Sequence, residues 1–298
     1  MKLKLGVVFP QTEIGTDPMT VRAYATGVEA AGYDHIVAYD HVFGHRPADR
    51  VAWAELGPYT DAHQFHEVFV LFSHLAAITT RIGFATEVLV LPQRQTVLVA
   101  KQAAELDLLS GGRLRLGVGV GWNPEEFRAL GMDFQNRGAR IVEQVETLRR
   151  LWASDAITVS GTFHNIASGG INPRPGHAIP VWIGGHAPVA IKRAAAIADG
   201  LMLGHSVAEA PQVIGYVKEM LTANDRDPAV FGFAARLQLD PDDMVGTLEK
   251  ARAWVRTGIS HLSISTMDRG VREPHEHLQL LREFIEAWSS SNEIGAPN

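Results

Sequence analysis

Short apolar runs alternate with longer amphipathic stretches along all 298 residues of this chain. Residues 4–9 (KLGVVF) predict a buried strand, and Pro18 to Ala31 a helix closed by Gly32, a residue free to take the left-handed conformation that ends helices. Strands over 35–40 and 81–90 follow, with helices over 65–79 and 95–109. LRLGVGV (114–120) is the next strand and leads into helices over 124–130 and 136–152. Alternation around Ser160-Gly161 predicts a small inserted hairpin over 156–166. Strands over 180–185, 200–204, 231–239 and 261–265 complete the rhythm, with helices over 188–198, 207–224, 241–256 and 275–288. A disordered tail is expected over 289–298.

Strands apolar on both faces and joined by helices imply a parallel sheet covered on both sides. Eight such units without a linker predict one domain over 1–298, an α/β fold of the (β/α)8 TIM-barrel type with short insertions. An open doubly wound sheet is the alternative.

Composition narrows the chemistry. A net charge of −6 and no run of Lys or Arg argue against a nucleic-acid surface. The absence of cysteine excludes disulfides, thiolate nucleophiles and Cys-ligated metals. The first apolar run, Leu5 to Phe9, falls short of the roughly 7–15 apolar residues of an export signal. No run approaches the ~18 apolar residues of a membrane span. The cytoplasm is therefore the expected location, with no membrane partner.

In a barrel of this kind the chemistry sits at the carboxyl ends of the strands. Those ends read Asp40-His41, Thr86-Glu87-Val88, Gly119-Val120-Gly121, Gly184-Gly185-His186 and Gly204-His205. The glycines of GGRLRLGVGVGW do not form a dinucleotide fingerprint, because the sixth position is Trp122 counted from Gly117 and Pro124 counted from Gly119. They suit a flat ligand resting on bare backbone. Beyond them Asn123 and Pro124 start a helix, and Glu125 and Glu126 are assigned to capping. Gly184-Gly185 opens another helix and suits either a phosphate or a plain tight turn. His41 is the candidate for proton transfer, with His205 behind it. HQFHE (63–67) and HEHL (275–278) lack further ligands, so no metal is expected.

Taken together, YDHVF (39–43), the stretch 83–134 from GFATEVLV to ALGMDF, RGARIVEQVETLRRLW (137–152) and PVWIGGHAPVAIKRAAAIADG (180–200) resemble the luciferase-like monooxygenase superfamily. The likeness is to its actinobacterial oxidoreductases that use the deazaflavin coenzyme F420. It implies a homodimeric (β/α)8 barrel holding F420, or FMN in sister branches, at the carboxyl mouth, together with a small-molecule substrate. Asp40-His41 matches the family's Asp-His pair, with His41 as proton donor or acceptor and Asp40 orienting it. The bond from Glu87 to Val88 matches a cis peptide behind the ring. Gly119, Val120 and Gly121 match a cofactor-contacting segment, and Gly184-Gly185 the phosphate turn. Thr86, His186, Gly204 and His205 complete the expected cofactor site.

Two departures stand out. Relatives usually place a small residue where this chain has Glu87, which reads either as a proton shuttle or as an outward partner for Arg94. Trp122 replaces the catalytic glutamate of the sugar-phosphate dehydrogenases, which weighs against that substrate. Trp122 and Trp182 suggest a more apolar site, and the loop from Val42 to Gln64 is expected to cover the mouth. The expected activity is hydride transfer between F420 and a small organic substrate. The alternatives are an FMN-dependent monooxygenase and a cofactor-binding barrel without turnover.

Overall fold

A computed structural model describes residues 3–44, 46, 59–271 and 273–293. Strands β1 (Lys4–Val8), β2 (His35–Ala38), β3 (Gly83–Thr86), β4 (Leu89–Val90) and β5 (Leu114–Gly119) form the first half of a parallel sheet. After the antiparallel hairpin β6 (Ile157–Ser160) and β7 (Asn165–Gly169), the sheet continues through β8 (Val181–Gly185), β9 (Gly200–Leu203), β10 (Gly232–Gln238) and β11 (His261–Ser265). β11 returns to β1 with Leu5 opposite Leu262. β3 pairs with β5 and β8 with β5, so the sheet closes into the expected eight-stranded barrel.

Helices α1 (Pro18–Ala30), α2 (Val68–Ile78), α3 (Thr96–Ser110), α4 (Pro124–Ala129), α5 (Arg137–Ala153), α6 (Pro188–Ile197), α7 (Ala210–Ala223), α8 (Met244–Arg256) and α9 (Pro274–Glu293) surround it. Their starts follow local chemistry. Asp17 accepts from the Thr20 N–H at 2.9 Å before Pro18, and Asp243 from the Gly246 N–H at 2.8 Å. No helix among the described residues is long and apolar enough to cross a membrane.

Three boundaries differ from the sequence reading. The stretch 81–90 is two strands, broken by a cis peptide between Glu87 and Val88. The hairpin reaches Gly169, its turn gathered by Glu143, which accepts the N–H groups of Thr162 and Phe163 at 2.8 and 2.9 Å. The last helix continues through Glu293, past the predicted start of the tail, and 294–298 lie outside the described residues.

Each strand alternates between two environments. Leu114, Leu116 and Val118 of β5 join the main apolar core between barrel and helices, as do Leu5 and Val7 of β1 and Leu262 and Ile264 of β11. Many of the positions between them face the lumen as glycine, polar or charged residues, among them Gly6, His35, Arg115, Gly117, Gly119, Arg236, His261 and Ser263, beside two small apolar clusters, one of Val8, Val37, Ala85 and Met267 and one of Trp182, Met202 and Ala234. A barrel of this class ordinarily fills its lumen with bulky branched residues. Here glycines make room for rings. A Cβ on Gly6 would lie 2.2 Å from His35 Nε2, and one on Gly232 would lie 2.1 Å from the Trp182 ring.

Candidate cofactor and active site

A cavity of about 390 Å3 opens at the carboxyl mouth of the barrel. Of the residues expected there, Asp40, His41, Glu87, Val88, Gly119, Val120, Gly121, Gly184, Gly185, His186 and Gly204 line it. Thr86 and His205 do not. Thr86 is buried, and its hydroxyl donates to the Gly117 carbonyl at 2.6 Å, tying β3 to β5. His205 is outside the lining, its buried Nδ1 without a hydrogen-bond partner among the described residues. Trp122 stands at the mouth, 37 % exposed, whereas Trp182 is packed below with Met202, Ala234 and Val88.

The glycines at this end have a nearer duty than bare contact with a ligand. The turn after β3 drives Val88 across the barrel mouth. A Cβ on Gly119 would sit 2.4 Å from one Val88 methyl, and a Cβ on Gly184 2.5 Å from the other. Gly121, at φ +71°, would collide with Val90 at 2.5 Å. The glycines of β5 and β8 therefore receive the bulge, and the bulge walls the cavity.

The acidic residues pair differently from the sequence expectation. Asp40 does not reach His41. Its carboxylate accepts the Val90 N–H at 2.9 Å and pairs with the Arg94 guanidinium at 2.7 Å, holding the segment after the cis bond in place. Arg94 also meets Glu67 at 2.9 Å, the residue that caps α2, so it is not a partner for Glu87. The carboxylate facing His41 is that of Glu126, 3.6 Å from its Nδ1.

Glu126 makes no capping box, since Asn123 alone caps α4 by accepting the Glu125 and Glu126 N–H groups at 3.0 and 3.4 Å. Its buried carboxylate instead accepts the N–H groups of Val42 and Phe43 at 2.6 and 3.2 Å and the Gln93 amide at 3.1 Å. Burial alone would raise this carboxyl's pKa, but His41, the Val42 N–H and Gln93 outweigh burial and hold it below its ordinary value. The imidazole of His41 is further enclosed by Tyr59, Phe65 and Trp122, with ring centroids 4.5, 4.8 and 6.0 Å away. Of the loop expected over the mouth, residues 45 and 47–58 lie outside the described residues.

Sequence reading missed Arg236 and Tyr39. Arg236 enters the cavity from β10, donates to the Tyr39 hydroxyl at 2.7 Å and lies 3.3 Å from Glu87. Burial raises the Glu87 carboxyl above its ordinary pKa, opposed by Arg236 and Arg115. Burial likewise pushes the Tyr39 hydroxyl up to about 12, against the pull of Arg236. The HEHL stretch serves packing, with His277 buried and its Nδ1 2.8 Å from the Thr266 hydroxyl. Among the described residues no group of three potential metal ligands comes together.

The chain is 38% identical over 199 residues, 66% of its length and 69% of the relative's, to an uncharacterised protein of Mycobacterium tuberculosis. It is 28% identical to an F420-dependent glucose-6-phosphate dehydrogenase of Amycolatopsis mediterranei, over 87% of this chain and 75% of that one. The fold matches an F420-dependent secondary alcohol dehydrogenase solved with an F420–acetone adduct, with a TM-score of 0.78 at 18% identity over 97% of this chain and 99% of that one. The sequence model for luciferase-like monooxygenases matches residues 4–290, and the chain belongs to that family.

Proposed function

We propose that this chain is an F420-dependent oxidoreductase acting on a small organic substrate, with His41 giving or taking the proton that accompanies hydride transfer. The observation that carries this reading is the placement of His41, at the cavity wall with Nδ1 toward a buried carboxylate and aromatic rings around it. With Nδ1 directed at Glu126, Nε2 is the nitrogen left to exchange a proton. Glu126, not Asp40, positions the ring.

The lining residues fit a flat, phosphate-bearing cofactor. Helix α6 starts without a side-chain cap, so the first amides after Gly184-Gly185 suit a phosphate. Val88, seated on Gly119 and Gly184, would back the ring, and Asp40 would keep that wall in register through Val90. Bound there, F420 supplies the hydride donor or acceptor. Trp122, Tyr59 and Phe65 would exclude water from the reacting face.

The names of the relatives support F420, while the family also includes monooxygenases. Parallel fluorescence titrations with F420 and FMN, followed by oxygen consumption with the bound cofactor reduced, test the reading. Preference for F420 with little oxygen consumed supports it. Preference for FMN with rapid oxygen consumption replaces it with an oxygen-activating enzyme.

A further inference from the structure

A second cavity, of about 360 Å3, opens at the opposite, amino-terminal end of the barrel. Its charged lining is Lys4, Arg81, Arg113 and Arg115 against one carboxylate, Asp34. Asp34 is already engaged, 3.2 Å from Lys4 Nζ and accepting the Leu5 N–H at 2.9 Å. Arg113 donates to the Ile82 carbonyl and Thr79 hydroxyl at 2.9 Å each, and Arg81 to the Glu29 carbonyl at 2.6 Å. Arg115 is different. Its side chain turns into the lumen, the guanidinium lies 4.6 Å from the Trp182 ring, and its buried Nε has no hydrogen-bond partner among the described residues. None of its nitrogens forms an ion pair there either. Beside it, the buried Nδ1 of His35 is likewise without a partner, while Nε2 meets the Ser263 hydroxyl at 3.1 Å.

A half-buried guanidinium without a counter-charge is left partly uncompensated, and its planar fork of donors matches oxyanions. Glu87 attracts Arg115 from above but is itself committed to Arg236. Trp182, packed against Val88, stands between this cavity and the one at the mouth. The geometry points to a binding site for a small inorganic anion, of halide or phosphate size, in the amino-terminal half of the barrel lumen, with Arg115 as principal donor and His35 Nδ1 as the second. The local electrostatics are consistent. Burial lowers Arg115 to about 10, and burial together with Arg115 lowers both His35 and His261, a strain that an anion relieves.

The test is to titrate sodium phosphate and, separately, sodium chloride into the full chain in a zwitterionic buffer, following heat and thermal unfolding. At least one anion gives a saturable, one-site response with a midpoint below ~10 mM and a Tm that plateaus. Arg115→Met removes the saturable part, leaving the gradual rise that salts give most proteins. Arg115→Lys keeps the charge without the fork, and its midpoint moves up at least fivefold. Phosphate alone saturating assigns an oxyanion site, chloride alone a halide site. Equal responses from wild type and Arg115→Met, or no saturable response to either salt, overturn the proposal. Should Arg115→Met fail to fold, wild-type crystals soaked in bromide and, separately, in arsenate decide the matter. An anomalous peak from either within about 4 Å of the Arg115 guanidinium supports the site, and none from both overturns it.

Discussion

The two ends of this barrel carry charge in opposite ways. At the carboxyl mouth every acid described has an answering group: Asp40 has Arg94, Glu87 has Arg236, and Glu126 has His41 and two backbone amides. At the amino end Arg115 has only a ring face and a distant carboxylate. One strand, β5, supplies both ends, with Arg115 at its foot and Gly117 and Gly119 above. Compensated charges act as fasteners, so removing one partner strands the other. An uncompensated charge marks a place where something from solution can finish the arrangement.

The contrast breaks most severely at Arg94. Arg94→Met leaves the Asp40 carboxylate buried without its counter-charge, held only by the Val90 N–H, and unfolding in urea is expected to show a loss of about 3–5 kcal/mol. A loss under 1 kcal/mol would mean that the mouth charges are not fasteners. His41→Ala is expected to lower turnover by about 10²- to 10³-fold while cofactor affinity stays within about threefold, read by steady-state rates and titration. Weakened binding with unchanged turnover would move His41 from catalysis to cofactor binding.

At the amino end pH supplies the probe. His261 is pushed down to about 3 by burial, with Arg115 and Lys4 adding to the effect. The unfolded chain takes that proton near 6.5, so it binds more protons than the folded one between those values. Stability therefore falls as pH drops from 6.5 toward 3, with a slope of up to about 1.4 kcal/mol per unit from this group. His261→Gln flattens the slope. Gly119→Ala sets a methyl 2.4 Å from Val88. The expected overpacking is about 1–3 kcal/mol, with roughly tenfold weaker cofactor binding, checked by melting and titration. The smallest effect is expected for Arg115→Met in anion-free buffer, within about 1 kcal/mol of wild type and in the stabilising direction. A large loss there would show that Arg115 is a fastener too.

The architecture was legible because the strand–helix units announce themselves locally, through apolar runs and, at several of them, a capping residue or a turn glycine. The strand ends named the cavity's lining for the same reason, and the family resemblance pointed to the cis bond. What the sequence hid were partnerships across distance. Glu126 stands three residues after a good N-cap, so the local reading made it half of a capping box. Its true partners lie 84 and 83 residues earlier. Asp40 and His41 are neighbours in sequence, but their carboxylate and imidazole answer to different elements. The lumen's polarity did leave a trace: RLGVG and HLSIS place a polar residue or glycine at every second position. Reading those strands as apolar on both faces passed over that period, and with it Arg115.

The Glu126 carboxylate also bears on redesign of the loop that follows β2. It grips that loop through the main-chain amides of Val42 and Phe43, bonds that any non-proline residue can make. A transplanted loop of different length or sequence would thus leave the barrel from the same anchored point, with the imidazole of His41 still facing its carboxylate. Substrate preference can then be rewritten by grafting, with the proton-handling residue left where it is.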